Sequence, residues 1–121
     1  HMVPVFKNTS KNFFSLPNEL FFLNIGHGVI TVYAYLLYCE DRRTHQCHPS
    51  YRTISDVVHL TVSTVMKHIT KLADRQFITV ESTSYIDKRG MKWNGNNLYT
   101  ILPIQMAMDY CYQQQLLRLE A

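Results

Sequence analysis

The sequence is short of cysteine, glycine and proline, with three, four and four of them, and it has no long hydrophobic run. Cys39, Cys47 and Cys111 are an odd number without framework spacing, which excludes a disulfide scaffold and fits the reduced thiols of a cytoplasmic protein. Gly, Asn, His and charged residues interrupt every apolar stretch, so no membrane partner is expected. The start carries no secretory signal, and His1-Met2 reads as the remnant of an expression tag. Catalytic patterns are missing too. There is no G-x-S-x-G, no phosphate-binding glycine loop and no H-E-x-x-H, and the carboxylates are scattered rather than paired as acid and base. His45, Cys47 and His48 are zinc-ligand types, with His59 nearby, but H-x-C-H matches no common zinc spacing. These absences point away from an enzyme and imply no cofactor, metal or small-molecule ligand.

What is present fits one domain of 121 residues, 46% apolar, with a net charge of +3. The charge is unevenly placed. Residues 62–92 hold six basic side chains (Lys67, Lys71, Arg75, Lys88, Arg89, Lys92) against three acidic ones, and the rest of the chain is balanced. A local cationic excess of this kind attracts a phosphate backbone.

The excess begins inside residues 49–76, PSYRTISDVVHLTVSTVMKHITKLADRQ. Ser50 can cap a helix running to about Val58, His59 and Leu60 make a tight turn, and Thr61 can cap a second helix from Val62 to about Arg75. Ile54, Val57 and Val58 supply the inner face of the first helix. In the second, Val62, Val65, Met66, Ile69 and Leu72 recur at helical spacing. Two helices joined so tightly must cross sharply, as in a helix-turn-helix.

Around this motif, residues 1–12 read as tag remnant and loose arm, and Phe13 to Leu16 as a short edge strand. Pro17 fits the first position of a short helix reaching Leu23, with Phe14, Leu16, Leu20, Phe21 and Leu23 as core. A helix from Val29 to Arg42 buries Ile30, Tyr33, Ala34, Leu37 and Tyr38 on one face, with Val32, Tyr35 and Leu36 widening it, and its last turn carries Arg42 beside Arg43. Residues 43–48 read as a connecting strand with Cys47 half-buried. Residues 77–86, FITVESTSYI, read as a strand, 87–90 as a turn, 91–97 as loop or distal hairpin, and 98–102 as the returning strand. Pro103 stops that strand and starts a last helix, 104–119. The expected fold is mainly α (α+β): a winged helix-turn-helix over 13–102, with a two- or three-stranded wing sheet and an extra C-terminal helix over 103–121.

In such a fold the second helix of the motif enters the major groove of double-stranded DNA, where each base pair shows its own donor and acceptor pattern. Ser63, Thr64, Lys67 and His68 then face base edges, Lys71 faces the backbone, and the helix start at Thr61 presents free N–H groups to a phosphate. Tyr51 and Arg52 suit phosphates. Lys88, Arg89 and Lys92 suit the adjacent minor groove or its phosphates. Trp93 reads either as packing against the hairpin or as part of the contact surface.

Residues 13–102 also resemble the N-terminal domain of plasmid replication initiator protein A, a bacterial winged helix-turn-helix family. The resemblance is carried by F-F-S-L-P-N-E-L-F at 13–21, Y-C-E-D-R at 38–42, C-H-P-S-Y-R-T-I at 47–54, V-S-T-V-M-K-H-I-T-K-L at 62–72 and N-L-Y-T-I at 97–101. It implies double-stranded DNA binding at origin repeats, commonly as a dimer. Two departures stand out. Gln76 occupies a position where such proteins often carry Gly, and the chain ends soon after the winged domain, which leaves transcriptional regulation as an alternative use of the same surface. A winged helix used only for protein–protein assembly is the other alternative. The last helix bears on assembly: Ile104, Met108, Cys111 and Leu119 form one apolar stripe and Met106, Tyr110 and Leu117 another, with Tyr112 and Leu116 beside it. A helix apolar on two faces has two surfaces to cover, and a homodimer would cover the second.

Overall fold

A computed structural model describes residues 13–121, so the tag remnant and arm expected at 1–12 lie outside the described residues. Residues 13–16 are irregular rather than an edge strand. Pro17 stands one position before the expected place. It is the extended N-cap, with ψ 134°, of a 3-10 helix at Asn18–Phe22. Three residues per turn put Leu20 and Leu23 on one side, where both are buried, and leave Phe21 and Phe22 in solvent.

Helix α1, His27–Cys39, starts earlier and ends earlier than its apolar pattern suggests. Gly26, at φ 91°, turns the chain into the helix as its N-cap. At the other end Glu40 is extended, and the carbonyl of Asp41 accepts from Thr44 and His45 in a turn. Arg42 and Arg43 therefore sit in an exposed turn and not in the last helical turn, so they lose the role of complementing the helix dipole. The buried residues are Val29, Val32, Tyr33 and Leu36, so the core lies toward the flank expected to widen the face, and Ile30, Ala34 and Leu37 are half-buried beside it. Tyr38 is exposed.

Strand β1, Gln46–Cys47, follows the turn, with Cys47 fully inside rather than half-buried. The Cys47 thiol donates to the carbonyl of Leu36, and burial first, with Cys39 and Glu40 adding to it, pushes its pKa up to about 12. Helix α2, Tyr51–Val58, is capped by Ser50, whose hydroxyl accepts from the Thr53 N–H at 3.0 Å. His59 ends it in the left-handed region at φ 58°. Helix α3, Val62–Asp74, is capped in the same way by Thr61, which accepts from the Thr64 N–H at 3.3 Å. Ile54 of α2 and Val65, Ile69 and Leu72 of α3 are buried against α1, while Val57 and Met66 stay exposed.

The stretch expected as one strand from Phe77 to Ile86 is two. Strand β2 is Ile78–Glu81 and strand β3 is Ser84–Ile86. The break has a local cause. The Thr83 carbonyl accepts from the Gly95 N–H and its hydroxyl donates to the Asn96 carbonyl, so this residue serves the neighbouring loop instead of a continuous ladder. Strand β4, Lys92–Asn94, pairs with β3, and strand β5, Leu98–Ile101, lies between β1 and β2 in an antiparallel sheet of order β1-β5-β2. Phe77, Ile78, Tyr99 and Ile101 turn their side chains onto the helices, and Tyr33 meets Phe77 edge to face at 5.3 Å. Pro103 caps helix α4, Ile104–Glu120. Its Ala107 is buried, with Ile104, Met108 and Cys111 packed beside it, but Leu119 leaves the expected stripe at 83% exposure because the helix outruns the body. Among the described residues the fold is a winged helix-turn-helix of four α-helices, the last of them the C-terminal helix, one 3-10 helix and two small antiparallel sheets. Among the described residues no helix is long and apolar enough to cross a membrane.

Candidate nucleic-acid interface

The free face of α3 follows from what its other face touches. Successive residues turn about 100°. With Val65, Ile69 and Leu72 inward, the opposite direction belongs to Ser63, Lys67, Thr70 and Asp74, and all four are exposed. Met66, 46% exposed, stands at the edge of this face. Thr70 and Met66 escape the sequence reading. Met66 falls within helical spacing of the core stripe, and Thr70 lies a turn beyond the residues nearest the helix start. A helical wheel centred on Val65, Ile69 and Leu72 alone finds both.

Thr64, His68 and Lys71, expected beside Lys67, are half-buried on the flank toward α1. They line a cleft with residues 25–29. The imidazole of His68 lies against Gly28 so closely that a Cβ there would stand 2.6 Å from Nε2. Lys71 donates through Nζ to the carbonyl of Ile25 at 3.1 Å, and Arg75 reaches the carbonyl of Asn24 at 3.4 Å. These two cations fasten the chain entering α1 onto α3. Burial first, then the charges of Lys71 and His27, lower the pKa of His68 and keep the ring neutral at pH 7.

The start of α3 is dense in hydroxyls. Thr61 Oγ1 lies 2.9 Å from that of Thr64 and 3.3 Å from Ser63 Oγ. Arg52 is exposed on the first turn of α2. Tyr51, also on that turn, is half-buried, and its hydroxyl accepts from Asn97 Nδ2 at 2.8 Å. Asn96 Nδ2 donates to the carbonyl of His48 at 3.2 Å. These two amides tie the base of the β3–β4 hairpin to the front of α2, and so orient the hairpin relative to α3.

Lys88, Arg89 and Lys92 lie at the hairpin tip and are exposed. The ion pairs among the described residues join Arg43 to Asp41 and His45 to Glu40, so Lys67, Lys88, Arg89 and Lys92 have no carboxylate partner there. Trp93 packs against the hairpin, as one of its two expected readings has it: it sits opposite Tyr85, donates through Nε1 to Asp87 Oδ2 at 2.8 Å, and is 51% exposed. Among the described residues no three His, Cys, Asp or Glu side chains come together as a metal site would require.

Residues 23–78 match the family model of a helix-turn-helix domain, which takes in α1 to α3 and stops as β2 begins. Among solved structures the chain is similar to a possible transcriptional regulator from Methanosarcina mazei Go1, at 21% identity and a TM-score of 0.52, over 81% of this chain and 76% of that one. That likeness is one of fold. No curated protein matches the sequence. A helix-turn-helix domain, set in a winged fold, supports DNA as the partner.

Proposed function

Proceeding from the helix-turn-helix at residues 23–78, we propose that the protein binds double-stranded DNA sequence-specifically, with α3 in the major groove and the hairpin against the flanking backbone or minor groove. The observation that carries this is the row Ser63, Lys67 and Thr70, exposed on the free face of α3, together with a wing tip whose three cations have no carboxylate partner among the described residues. Lys67 can reach a guanine edge or a phosphate, Ser63 can donate or accept, Thr70, whose hydroxyl donates to the Met66 carbonyl, can accept, and Met66 offers an apolar surface to a thymine methyl. Arg52, the N–H groups after Thr61, Lys88, Arg89 and Lys92 take phosphates. Lys71 contributes to the positive field from the flank, His68 packs there as a neutral ring, and Tyr51 holds the wing base.

The finer role is binding to the origin repeats of a plasmid-type replication initiator, supported by the motif order between Phe13 and Ile101. Regulation of transcription is the second reading, favoured by the likeness in fold to a possible transcriptional regulator from Methanosarcina mazei Go1. Selection of bound sites from random duplexes separates them. Origin-like arrays of repeats favour the first and an isolated operator the second, while equal binding to all sequences defeats specificity altogether.

The test of the interface is a salt titration. Lys88→Ala and Arg89→Ala should each lower the slope of log affinity against log salt by about one unit. Lys67→Ala should cost roughly 1–3 kcal/mol at the preferred site if it reads a base. Unchanged binding in the combined Lys67→Ala, Lys88→Ala, Arg89→Ala variant would remove this surface from the reading.

A further inference from the structure

The wing tip holds a carboxylate where a DNA-binding surface gains nothing electrostatically from one. Asp87 is followed at once by Lys88 and Arg89, yet neither side chain pairs with it. Its oxygens are turned to other donors. Oδ1 accepts from the backbone N–H of Arg89 at 2.8 Å and of Met91 at 3.0 Å, and Oδ2 accepts from Trp93 Nε1 at 2.8 Å. Its backbone closes the same turn: the Asp87 N–H donates to the carbonyl of Met91, and the Asp87 carbonyl accepts from Gly90, which lies at φ 81°. One side chain thus binds both arms of the tip and the indole on the returning strand.

We propose that Asp87 is a positioning residue for DNA binding: it locks residues 87–91 and Trp93 into one body, so that Lys88 and Arg89 meet the backbone already ordered. This role rests on the DNA-binding reading above. Hydrogen bonds from Trp93, then Met91, hold its carboxyl below the usual carboxylate range, so the acceptor is ionised at neutral pH. A hairpin of two three-residue strands, outside the three-stranded sheet, has little else to fix its tip. Ordering a mobile loop on binding costs affinity that a preformed loop keeps.

Charge and positioning make opposite predictions, which makes the idea testable. Removing Asp87 adds a unit of positive charge, so electrostatics alone predicts tighter binding. Positioning predicts weaker binding. The control is Glu81→Gln, which removes an exposed carboxylate on β2 without touching the tip. With a labelled mixed-sequence duplex at low salt, Glu81→Gln should bind as well as the parent or better, and Asp87→Ala about threefold to tenfold worse. Asp87→Asn should fall between, because its oxygen can still take the two backbone N–H groups while its amide meets the indole N–H donor to donor. The chain has a single tryptophan, so its fluorescence reports the tip directly. In the free protein, Trp93 anisotropy should fall in Asp87→Ala while the melting temperature stays put. Tightening of Asp87→Ala to match Glu81→Gln, or unchanged anisotropy, would overturn the role of Asp87 alone. No duplex binding by the unaltered protein would overturn the DNA reading and this role with it.

Discussion

Gly28 and His68 share one space from two helices, and neither residue says so in the sequence. The ring of His68 fills the site that a side chain at 28 would need. Ala at position 28 should therefore be tolerated better once His68 is removed. A double-mutant cycle of Gly28→Ala and His68→Ala, read by chemical denaturation, should give a coupling of about 1 kcal/mol in favour of the pair. Additive effects would mean that the ring moves aside freely. His68 reads as a base-contacting residue because it follows Lys67 on a polar face. It lies on the flank because Gly28 of α1, lacking a side chain, leaves room for the ring. Lys71 shows the same divergence: its spacing is that of a phosphate contact, yet its ammonium sits on the Ile25 carbonyl. A polar residue at the margin of a helical face can point to either side, and local spacing does not distinguish them.

Elements with strong local signals are readable, and those whose ends depend on neighbours are not. Both caps of the helix-turn-helix, Ser50 and Thr61, sit where the hydroxyl spacing puts them, because capping is settled within three residues. The ends of α1 and the split between β2 and β3 depend on the Asp41 turn and on Thr83 serving residues 95 and 96, which no short window contains. The departure at Gln76 acquires a physical meaning at this scale. Gln76 lies at φ 67°, just past the end of α3, in the region where a side chain is strained and glycine is not. Gln76→Gly should raise stability by about 1 kcal/mol, measured as a higher denaturation midpoint with an unchanged slope. A lower midpoint would show that the Gln side chain contributes more than its backbone loses.

At the scale of the whole molecule, the cationic excess of residues 62–92 is shared between two tasks. Lys71 and Arg75 tie α1 to α3, and Lys67, Lys88, Arg89 and Lys92 remain for a partner. Helix α4 poses the remaining question of assembly. Its first half packs on the body, while Tyr112, Leu117 and Leu119 are exposed. The homodimer expected from the sequence would cover this end with a second copy of the chain and pair two reading heads on one site. Sedimentation equilibrium should show a dimer that Leu117→Asp converts to monomer without loss of the fold. A monomeric parent at tens of micromolar, about the range where weak dimers form, would reject that assignment. The sequence by itself determined the order of the helices, the two caps of the helix-turn-helix, the wing turn and the absence of catalytic or membrane patterns, because each follows from bonds and periodicities within a few residues. Only the tertiary structure decided which part of α3's polar face is free, that Thr70 and Met66 join it, that Lys71 and His68 turn aside, and that α4 outruns its support. Those outcomes depend on what lies beside each helix, and a neighbour distant in sequence leaves no mark on local spacing.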